Sequence, residues 1–323
     1  MKVIIGITLG LLAGGVSPAS AAEAERYPSR PVRYVVPSTP GGGLDVLARI
    51  TAPRMTAKWG QQVVVDNRAG AGGIIGTDIV SKAPPDGHTL LIVTTGFASN
   101  PFLHASLPYR TPDDFIPITI VGSAPNVLVV HPTLAVKSVT ELIDVAKQKP
   151  GQLTFASSGL GSGGQLSMAL LENMAKIKFI HVPYKGAGAA TAAVLAGEAQ
   201  LLFTATGASV PHIRSGRIRA IAVSSAKRVS VLPDVPSVAE SGLPGYDVDG
   251  WYGIMAPART PKAIIDRIYR DVVDIIKTPE VSAQIQTAGF ELGGMPPAQF
   301  SDYIKAEMKK WDAVIKEAGI KGE

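Results

Sequence analysis

The sequence predicts an α/β protein built from two lobes, and three observations support this. The chain has 323 residues, more than one ordinary core accommodates, which favours two domains. Its first third alternates apolar strand patterns with helix patterns, as in an open sheet flanked by helices. Glycine-rich loops join a strand to a helix at three places. Ligands of such sheets bind at the carboxyl ends of the strands, where these loops lie.

Apolar runs and helical periodicity give the elements in chain order. The predicted strands are Val32–Val36, Gln61–Val65, Thr89–Thr94, Phe115–Val121, Val127–Val130, Leu153–Ala156, Phe179–Val182, Leu201–Phe203 and Arg219–Val223. The predicted helices are Leu44–Lys58, a segment after Ile74, Leu142–Lys149, Leu166–Ala175, Ala189–Leu195, Lys262–Lys277 and Pro297–Glu317. The chain is expected to enter a second lobe after residue 125 and to return near residue 229. Lobe 1 is therefore predicted as 23–125 plus 229–323, and lobe 2 as 126–228.

Single residues refine this outline. Pro53 is expected to kink or shorten the first helix, and Gly60 to end it in a left-handed conformation. Ser138 and Glu141 form a capping-box pattern. The segment 100–112 and the stretch from Gly250 to Pro257 are rich in proline and glycine and are interpreted as loops.

The N-terminus has the pattern of a secretory signal peptide. Met1-Lys2 is a short positive region, Val3–Val16 is apolar, and Ala19-Ser20-Ala21 fits a cleavage site, so residues 1–22 are predicted to be removed. A buried N-terminal helix is the alternative. The absence of cysteine leaves no lipid-attachment site and no disulfide, and it suits the periplasm. We expect a soluble, monomeric periplasmic protein.

Composition narrows the classes of partner. Hydrophobic residues make up 46% of the chain and charged residues 18%, a globular composition. The net charge is +5, but lysine and arginine are scattered and are not interleaved with aromatic residues. This indicates mild attraction for anions and no nucleic-acid partner.

The three glycine loops are the candidate binding elements. They span residues 37–43, 66–76 and 157–166, and each is expected to open a helix. A helix start exposes unpaired N–H groups with a partial positive charge, which suits a carboxylate or a phosphate. A tight turn without a ligand is the alternative for any single loop. Three such loops can hold a carboxylate without arginine or lysine in the pocket.

Other chemistries fit the residues less well. Gly159, Gly161 and Gly164 match a dinucleotide fingerprint, but the expected acidic residue about 20 positions later is missing. Ser162 lacks the flanking glycine of a nucleophile elbow. The five histidines are isolated from one another and from carboxylate clusters, which disfavours a metal site or a catalytic triad. We expect no cofactor and no metal.

Many short motifs resemble one family. They lie in order along almost the whole chain and include V-P-x-x-P-G-G-x-x-D ending at Asp45, D-N-R-x-G-A-G-G-x-x-G ending at Gly76, and H-V-P-Y-K-G starting at His181. P-D-G-x-T-L-L ends at Leu91, and L-P-D-V-P starts at Leu232. The chain resembles the periplasmic solute-binding proteins of tripartite tricarboxylate transporters, the TctC-like or Bug family.

The resemblance implies a type II periplasmic-binding-protein fold, also called a Venus flytrap, with a mixed sheet flanked by helices in each lobe. It also implies a small organic acid bound in the interlobe cleft and delivered to permease subunits. The implied ligand-binding residues are Ser38, Thr39, Gly41, Gly42, Asp45, Ala71, Gly72, Gly73, Ser157, Ser158, Gly161, Ser162, Gln165, Thr204, Ala205 and Thr206. Among them, Asp45 is expected to brace its loop, because it would repel an anion.

Three positions depart from the family pattern. The family often has tyrosine at His88, histidine at Gln165 and glycine at Arg259. Gln165 is expected to influence the preferred ligand, because it opens the helix behind the third loop. A sensor that reports ligand occupancy to a membrane kinase is an alternative function. A periplasmic enzyme acting on a small acid is another, and it would need a general base in the cleft.

Overall fold

A computed structural model describes residues 26–159, 161–184 and 187–320 of the chain. The predicted signal peptide, residues 1–22, lies outside the described residues. The strands in chain order are β1 Val32–Val36, β2 Val63–Asn67, β3 Thr89–Thr94, β4 Phe115–Ser123, β5 Asn126–Val130, β6 Thr154–Ser157, β7 Ile180–Pro183, β8 Leu201–Ala205, β9 Arg219–Val223, β10 Trp251–Pro257 and β11 Glu291–Leu292. The helices are α1 Gly43–Trp59, α2 Ile74–Ser81, α3 Gly96–Leu103, α4 Val139–Gln148, α5 Gly163–Ala175, α6 Ala187–Ala196, α7 Thr206–Arg214, α8 Lys262–Ile276, α9 Pro279–Thr287 and α10 Pro297–Ala318.

The strands form two mixed sheets, one in each lobe. The first has the order β11-β4-β10-β3-β1-β2, and the second has the order β7-β6-β8-β5-β9. In the first sheet β1 runs parallel to β2 and β3, and β10 runs antiparallel to β3 and β4. In the second, β6 runs parallel to β7 and β8, and β5 runs antiparallel to β8 and β9. The predicted class, two mixed sheets flanked by helices, is confirmed.

Helix α1 follows the first glycine loop and runs through Pro53 without a break. The prediction that Pro53 shortens this helix is therefore wrong. Pro53 and Arg49, four residues earlier, both lie on the exposed face of the helix, where water is available to the carbonyl that loses its N–H partner. Gly60 ends the helix with a φ of 68°, as predicted.

The stretch from Gly250 to Pro257 also differs from the sequence-based prediction. It is interpreted above as a loop, but it contains β10, a central strand of the first sheet. Gly253 lies in this strand because the ring of Phe300 packs over it. A Cβ on Gly253 would lie 2.3 Å from Phe300 Cζ. The glycine serves close packing and not a turn.

The segment 100–112 also differs from its interpretation as an irregular surface loop. Its first residues complete helix α3, in which Phe97 and Leu103 are buried and Pro101 lies near the C-terminal end. Helices α7 and α9 have no counterpart among the sequence predictions. Helices α3, α7 and α9 are all short, and α3 and α7 contain an internal proline. Both features weaken the periodic pattern of apolar residues in the sequence.

Two crossings join the lobes. Ala124 and Pro125 connect β4 to β5, and Asp249 and Gly250 lead the chain back into β10. The Ala124 N–H donates to the Gly250 carbonyl over 2.7 Å, so the two crossings are directly hydrogen-bonded.

Residues 229–248 pack on the second lobe. Val229 and Leu232 join the apolar cluster of β5, β8 and α6, and Tyr246 donates its hydroxyl proton to the Ser167 carbonyl over 2.8 Å. We therefore propose a return crossing near Gly250, later than the expected residue 229.

Helix α10 bridges both lobes. It packs against α3 and β4 of the first lobe and against α5 of the second. The buried Glu307 accepts hydrogen bonds from the indole nitrogens of Trp251 (3.2 Å) and Trp311 (3.0 Å). No helix in the described ranges is long and apolar enough to cross a membrane.

Candidate functional site

A cleft of about 910 Å³ lies between the lobes and is lined by both. It opens at the carboxyl ends of β2, β3, β6, β7 and β8 and at the starts of the helices that follow them. This is the edge at which open α/β sheets bind ligands. Both interlobe crossings contribute to it, through Ala124 and Gly250.

The second glycine loop forms part of the first-lobe wall. Ala71 and Gly72 line the cleft, and Gly72 and Gly73 have positive φ values of 62° and 93° that glycine tolerates. Two side chains hold this loop, Asn100 from the cleft wall and Thr77 from α2. Asn100 Nδ2 donates to the Gly72 carbonyl over 3.4 Å, and Thr77 Oγ1 donates to the Gly73 carbonyl over 2.9 Å. The loop presents backbone to the cleft in a fixed conformation.

Asp45 organises the first glycine loop. Its carboxylate is buried and accepts hydrogen bonds from the Gly41 N–H (2.9 Å), Arg49 Nε (2.9 Å) and Asn67 Nδ2 (3.0 Å). Burial disfavours the charged form, but these three donors outweigh it, so the pKa of Asp45 is lowered. Asp45 thus holds the loop, and the Gly41 N–H is already paired.

The rest of the first loop lies beside the cleft. Ser38 is half-buried, and Thr39, Gly41 and Gly42 are exposed, but none of them lines the cleft wall. The next residue, Gly43, does line it, and it opens α1 directly below the side chain of Tyr252. A Cβ on Gly43 would lie 2.6 Å from the Tyr252 hydroxyl, so glycine is required for this packing.

The third glycine loop forms the facing wall in the second lobe. Ser158, Gly159, Gly161 and Ser162 line the cleft. Ser162 also caps α5, because its hydroxyl accepts the Gln165 N–H over 3.4 Å. The loop touches the first lobe, since a Cβ on Gly161 would lie 2.7 Å from Leu103 Cδ1.

Gln165 and Ser157 lie behind this loop, and both are buried. Gln165 Oε1 accepts the Gly161 N–H over 2.7 Å, and the Ser157 hydroxyl is 2.6 Å from His181 Nε2. Gln165 therefore acts on the loop and does not itself line the cleft.

The end of β8 completes the second-lobe wall. Thr204 and Ala205 line the cleft, whereas Thr206 is buried and donates its hydroxyl proton to the Pro125 carbonyl at the lobe crossing. The predicted site residues thus divide into two groups. Those in the cleft wall are Ala71, Gly72, Ser158, Gly161, Ser162, Thr204 and Ala205. Those beside or behind it are Ser38, Thr39, Gly41, Gly42, Asp45, Gly73, Ser157, Gln165 and Thr206.

Several wall residues were missed by the sequence reasoning. They are Gly43, Thr94, Thr95, Gly96, Asn100, Leu103, His104, Asn126, Tyr184 and Tyr252, among others. Thr94 is the last residue of β3, which runs parallel to β1, and Thr95 follows it, so the carboxyl-end rule applied to β3 would have found both. Asn126 and Tyr252 come from strands whose place at the cleft depends on the fold, and no local signal marks them.

The cleft wall carries little charge. Among its described residues there is no lysine, arginine, aspartate or glutamate, and His104 is the one imidazole. An anion here would be held by backbone N–H groups, hydroxyls and amides. The hydrogen-bonded pair of Ser157 and His181 does not form a nucleophilic site, because Ser157 is completely buried and His181 Nδ1 faces an amide. Within the described ranges, no group of three or more histidine, aspartate or glutamate residues could hold a metal ion.

Comparison with known proteins identifies the family. The model of the TctC family, described as the tripartite tricarboxylate transporter family receptor, matches residues 47–320. The chain belongs to this family. A protein of Pseudomonas sp. strain P51 from the tcbD-tcbE intergenic region is 39% identical, over 98% of this chain and 94% of that protein. Protein BugT of Bordetella pertussis is 37% identical, over 98% of this chain and 97% of that protein.

Solved structures agree with the family assignment. A Rhodopseudomonas palustris protein solved with adipate has a TM-score of 0.82 and 36% identity, covering 92% of this chain and all of that one. The periplasmic binding protein BugD has a TM-score of 0.78 and 32% identity, covering 92% of this chain and 100% of that one. MatC from R. palustris, with bound malate, has a TM-score of 0.77 and 30% identity, covering 90% of this chain and 100% of that one. The TctC family consists of periplasmic solute-binding receptors, and this chain has their fold.

Proposed function

We propose that the protein captures a small organic acid in the interlobe cleft and delivers it to the permease subunits of a tripartite tricarboxylate transporter. It works in the periplasm after its signal peptide has been removed, and it catalyses no reaction. The observation that carries the proposal is the cleft itself. It is lined by glycine loops and hydroxyls from both lobes, and its described wall has no charged side chain.

The chemistry of this wall suits a carboxylate. Backbone N–H groups at helix starts attract an anion without the long, flexible side chains that lysine or arginine would bring. Two similar proteins were solved with carboxylates, adipate in one and malate in the other. A dissociation constant in the micromolar range corresponds to about −8 kcal/mol, which a few charge-assisted hydrogen bonds and cleft closure can supply.

We assign direct ligand contact to the seven predicted residues of the cleft wall, and loop support to the others. Gly72 and Ala71 form the first-lobe contact. Ser158, Gly161 and Ser162, with Thr204 and Ala205, form the contact of the closing lobe. Closure is a population shift driven by contacts that both lobes make with the ligand only in the closed state.

A thermal-shift and calorimetric screen of the mature protein tests the function. The protein is first unfolded and refolded to remove any carried-over ligand, and then titrated with adipate, malate, monocarboxylates and uncharged amides. A ligand at about 100 times its Kd stabilises the protein by about 2.7 kcal/mol, a shift of several degrees. A Tm that no carboxylate raises would contradict the proposal. NMR spectra of the same samples after incubation test for catalysis, and the carboxylate should be unchanged.

A matched pair of variants localises the site. Gly72 and Gly151 have nearly equal φ values, 62° and 64°, but Gly151 is exposed, has nothing within 4 Å of an added Cβ, and lies outside the cleft wall. Gly72→Val and Gly151→Val therefore both force a side chain into a positive φ of nearly the same size. Only Gly72→Val should weaken carboxylate binding, by about tenfold or more, because the side chain stands where the ligand approaches. Equal affinities in the two variants would place the ligand elsewhere.

A further inference from the structure

A half-buried histidine lies behind the third glycine loop, outside the cleft wall. His181 on β7 has one ring nitrogen 2.6 Å from the Ser157 hydroxyl and the other 3.3 Å from Gln165 Nε2. Gln165 in turn accepts the Gly161 N–H, and Ser157 contacts both the N–H and the carbonyl of Gly159. The imidazole therefore connects two side chains that hold two residues of the loop.

Only one pattern of donors satisfies this network. The Gly161 N–H can only donate, so Gln165 must present its oxygen to Gly161 and its NH₂ group to His181. His181 Nδ1 must then accept and carries no proton. The proton lies on Nε2 and is donated to the Ser157 hydroxyl, which also accepts the Gly159 N–H and donates to the Gly159 carbonyl. The network requires a neutral ring with a defined tautomer.

The surroundings favour the neutral ring. Phe155 on β6 stacks on the imidazole, with ring centroids 4.6 Å apart and an interplanar angle of 15°. The ring's described hydrogen-bond partners, Ser157 on β6 and Gln165 on α5, carry no charge, and neither does the stacked Phe155. Burial alone lowers the pKa of His181.

We propose that neutral His181 positions Gly159 and Gly161 of the third glycine loop for ligand binding, through Ser157 and Gln165, and that protonation of His181 weakens binding. A proton on Nδ1 would face the NH₂ group of Gln165, so two donors would meet. Rotating the amide would relieve this contact but would turn its NH₂ group towards the Gly161 N–H. In either arrangement a buried donor loses its partner, and the loop must shift to recover one.

The direction of the effect follows from the direction of the pKa shift. Because the pKa of His181 is lowered, the ring stays neutral at pH 7, and the effect appears only as the pH falls below about 6.5. The loop lines the cleft and touches Leu103 of the first lobe, so its displacement changes both the wall and the contact between the lobes. The consequence for affinity rests on the proposed carboxylate function, but the coupling within the network does not.

NMR of the labelled, ligand-free protein tests the coupling directly. Long-range proton–nitrogen spectra at about pH 7.5 should show His181 protonated on Nε2. On titration to about pH 5.5, the amide shift of Gly161 should follow the His181 titration. An Nδ1–H tautomer, or a Gly161 amide that does not respond to His181, would overturn the proposal.

Gln165→Glu gives the sharpest variant. The glutamate keeps an oxygen for the Gly161 N–H and replaces the NH₂ group with a second acceptor for His181 Nδ1. It should raise the pKa of His181 and uncouple the Gly161 amide from the imidazole titration. His131→Asn serves as the control, because His131 is in the second lobe but contacts Thr133 and not this network. It should leave the titration of His181 and the Gly161 amide unchanged.

Adipate affinity provides the functional readout. Between about pH 7.5 and about pH 5.5 the wild type should lose more affinity than Gln165→Glu, by a factor that grows as the pH falls and stays below about tenfold, and comparing the two proteins cancels the titration of adipate. Equal losses would refute the link to binding. If adipate, malate and the other acids do not bind at all, the proposed function fails, and the NMR titration still decides whether His181 positions the loop.

Discussion

Gly76 holds the first two glycine loops against each other, and its replacement by alanine is a direct test of how this wall is built. It lies in the first turn of α2. An added Cβ would be 2.8 Å from the Arg68 carbonyl oxygen and 2.8 Å from Pro37 Cα, both backbone atoms of the adjoining loops. Real Cβ contacts are not this short, so one loop must move. Overpacking of this kind costs about 1–3 kcal/mol.

Gly188→Ala is the matched control. Gly188 lies in the first turn of α6, and nothing lies within 4 Å of an added Cβ. In both helices alanine gains up to about 1 kcal/mol of helix propensity. The gain is unopposed at Gly188 and outweighed at Gly76, so the two variants should differ by about 1–3 kcal/mol.

Thermal unfolding of the two ligand-free variants measures this difference. At about 2–4 °C per kcal/mol, Gly76→Ala should unfold several degrees below Gly188→Ala. Gly76→Ala should also bind carboxylates more weakly, because both first-lobe loops are displaced. A Tm for Gly76→Ala equal to or above that of Gly188→Ala would show that the loops tolerate separation, and the packing described above would then be wrong.

Two buried carboxylates give opposite dependences of stability on pH. Asp45→Asn should lower the free energy of unfolding by about 1–3 kcal/mol at pH 7. Because the folded-state pKa of Asp45 is lowered, this loss of stability should shrink as the pH falls below about 4. Urea titrations of the wild type and the variant at pH 7 and below about pH 4 would measure the change. At the lobe crossing, burial raises the pKa of Asp249 to about 6 and its Oδ1 has no partner, so its ionised form destabilises the fold above that pH. Asp249→Asn should therefore be more stable than the wild type by up to about 3 kcal/mol at pH 8 and by about half as much at pH 5. A stability difference that does not change between these pH values would contradict the assignment.

The sequence predicts the parts of the fold that have strong local signals. The strands that follow apolar runs, the helices with long periodic patterns, and the left-handed stop at Gly60 all appear where expected. Ser138 caps α4 by accepting the Glu141 N–H, although Glu141 itself accepts from the Lys137 N–H and so forms only half of the expected capping box. These features depend on neighbours within a few residues.

The failures arise where distant residues determine the conformation. Gly253 belongs to β10 because Phe300, far along the chain, occupies the space that a side chain would need. Pro101 lies inside α3, whose apolar residues pack into the core. In both cases tertiary packing overrides a local signal for a turn.

The site divides in the same way. The three glycine loops could be found by their composition and by their position after strands. Asn126 and Tyr252 reach the cleft through the crossing of the chain between lobes, which no local pattern encodes. No local pattern predicts the hydrogen bond from the Gly161 N–H to Gln165 either, because the orientation of the Gln165 amide depends on the imidazole of His181 on β7.

The position of the two lobe crossings gives the cleft a mechanical property. Ala124 and Gly250 are hydrogen-bonded to each other and also line the cleft. We expect the lobes to turn about these crossings, so that a molecule held in the cleft lies close to the axis of rotation. Displacement grows with distance from an axis of rotation. A small difference in ligand width near the axis therefore becomes a larger difference in the distance between the outer edges of the two lobes. The angle between the lobes in the closed protein should therefore depend on the size of the bound molecule.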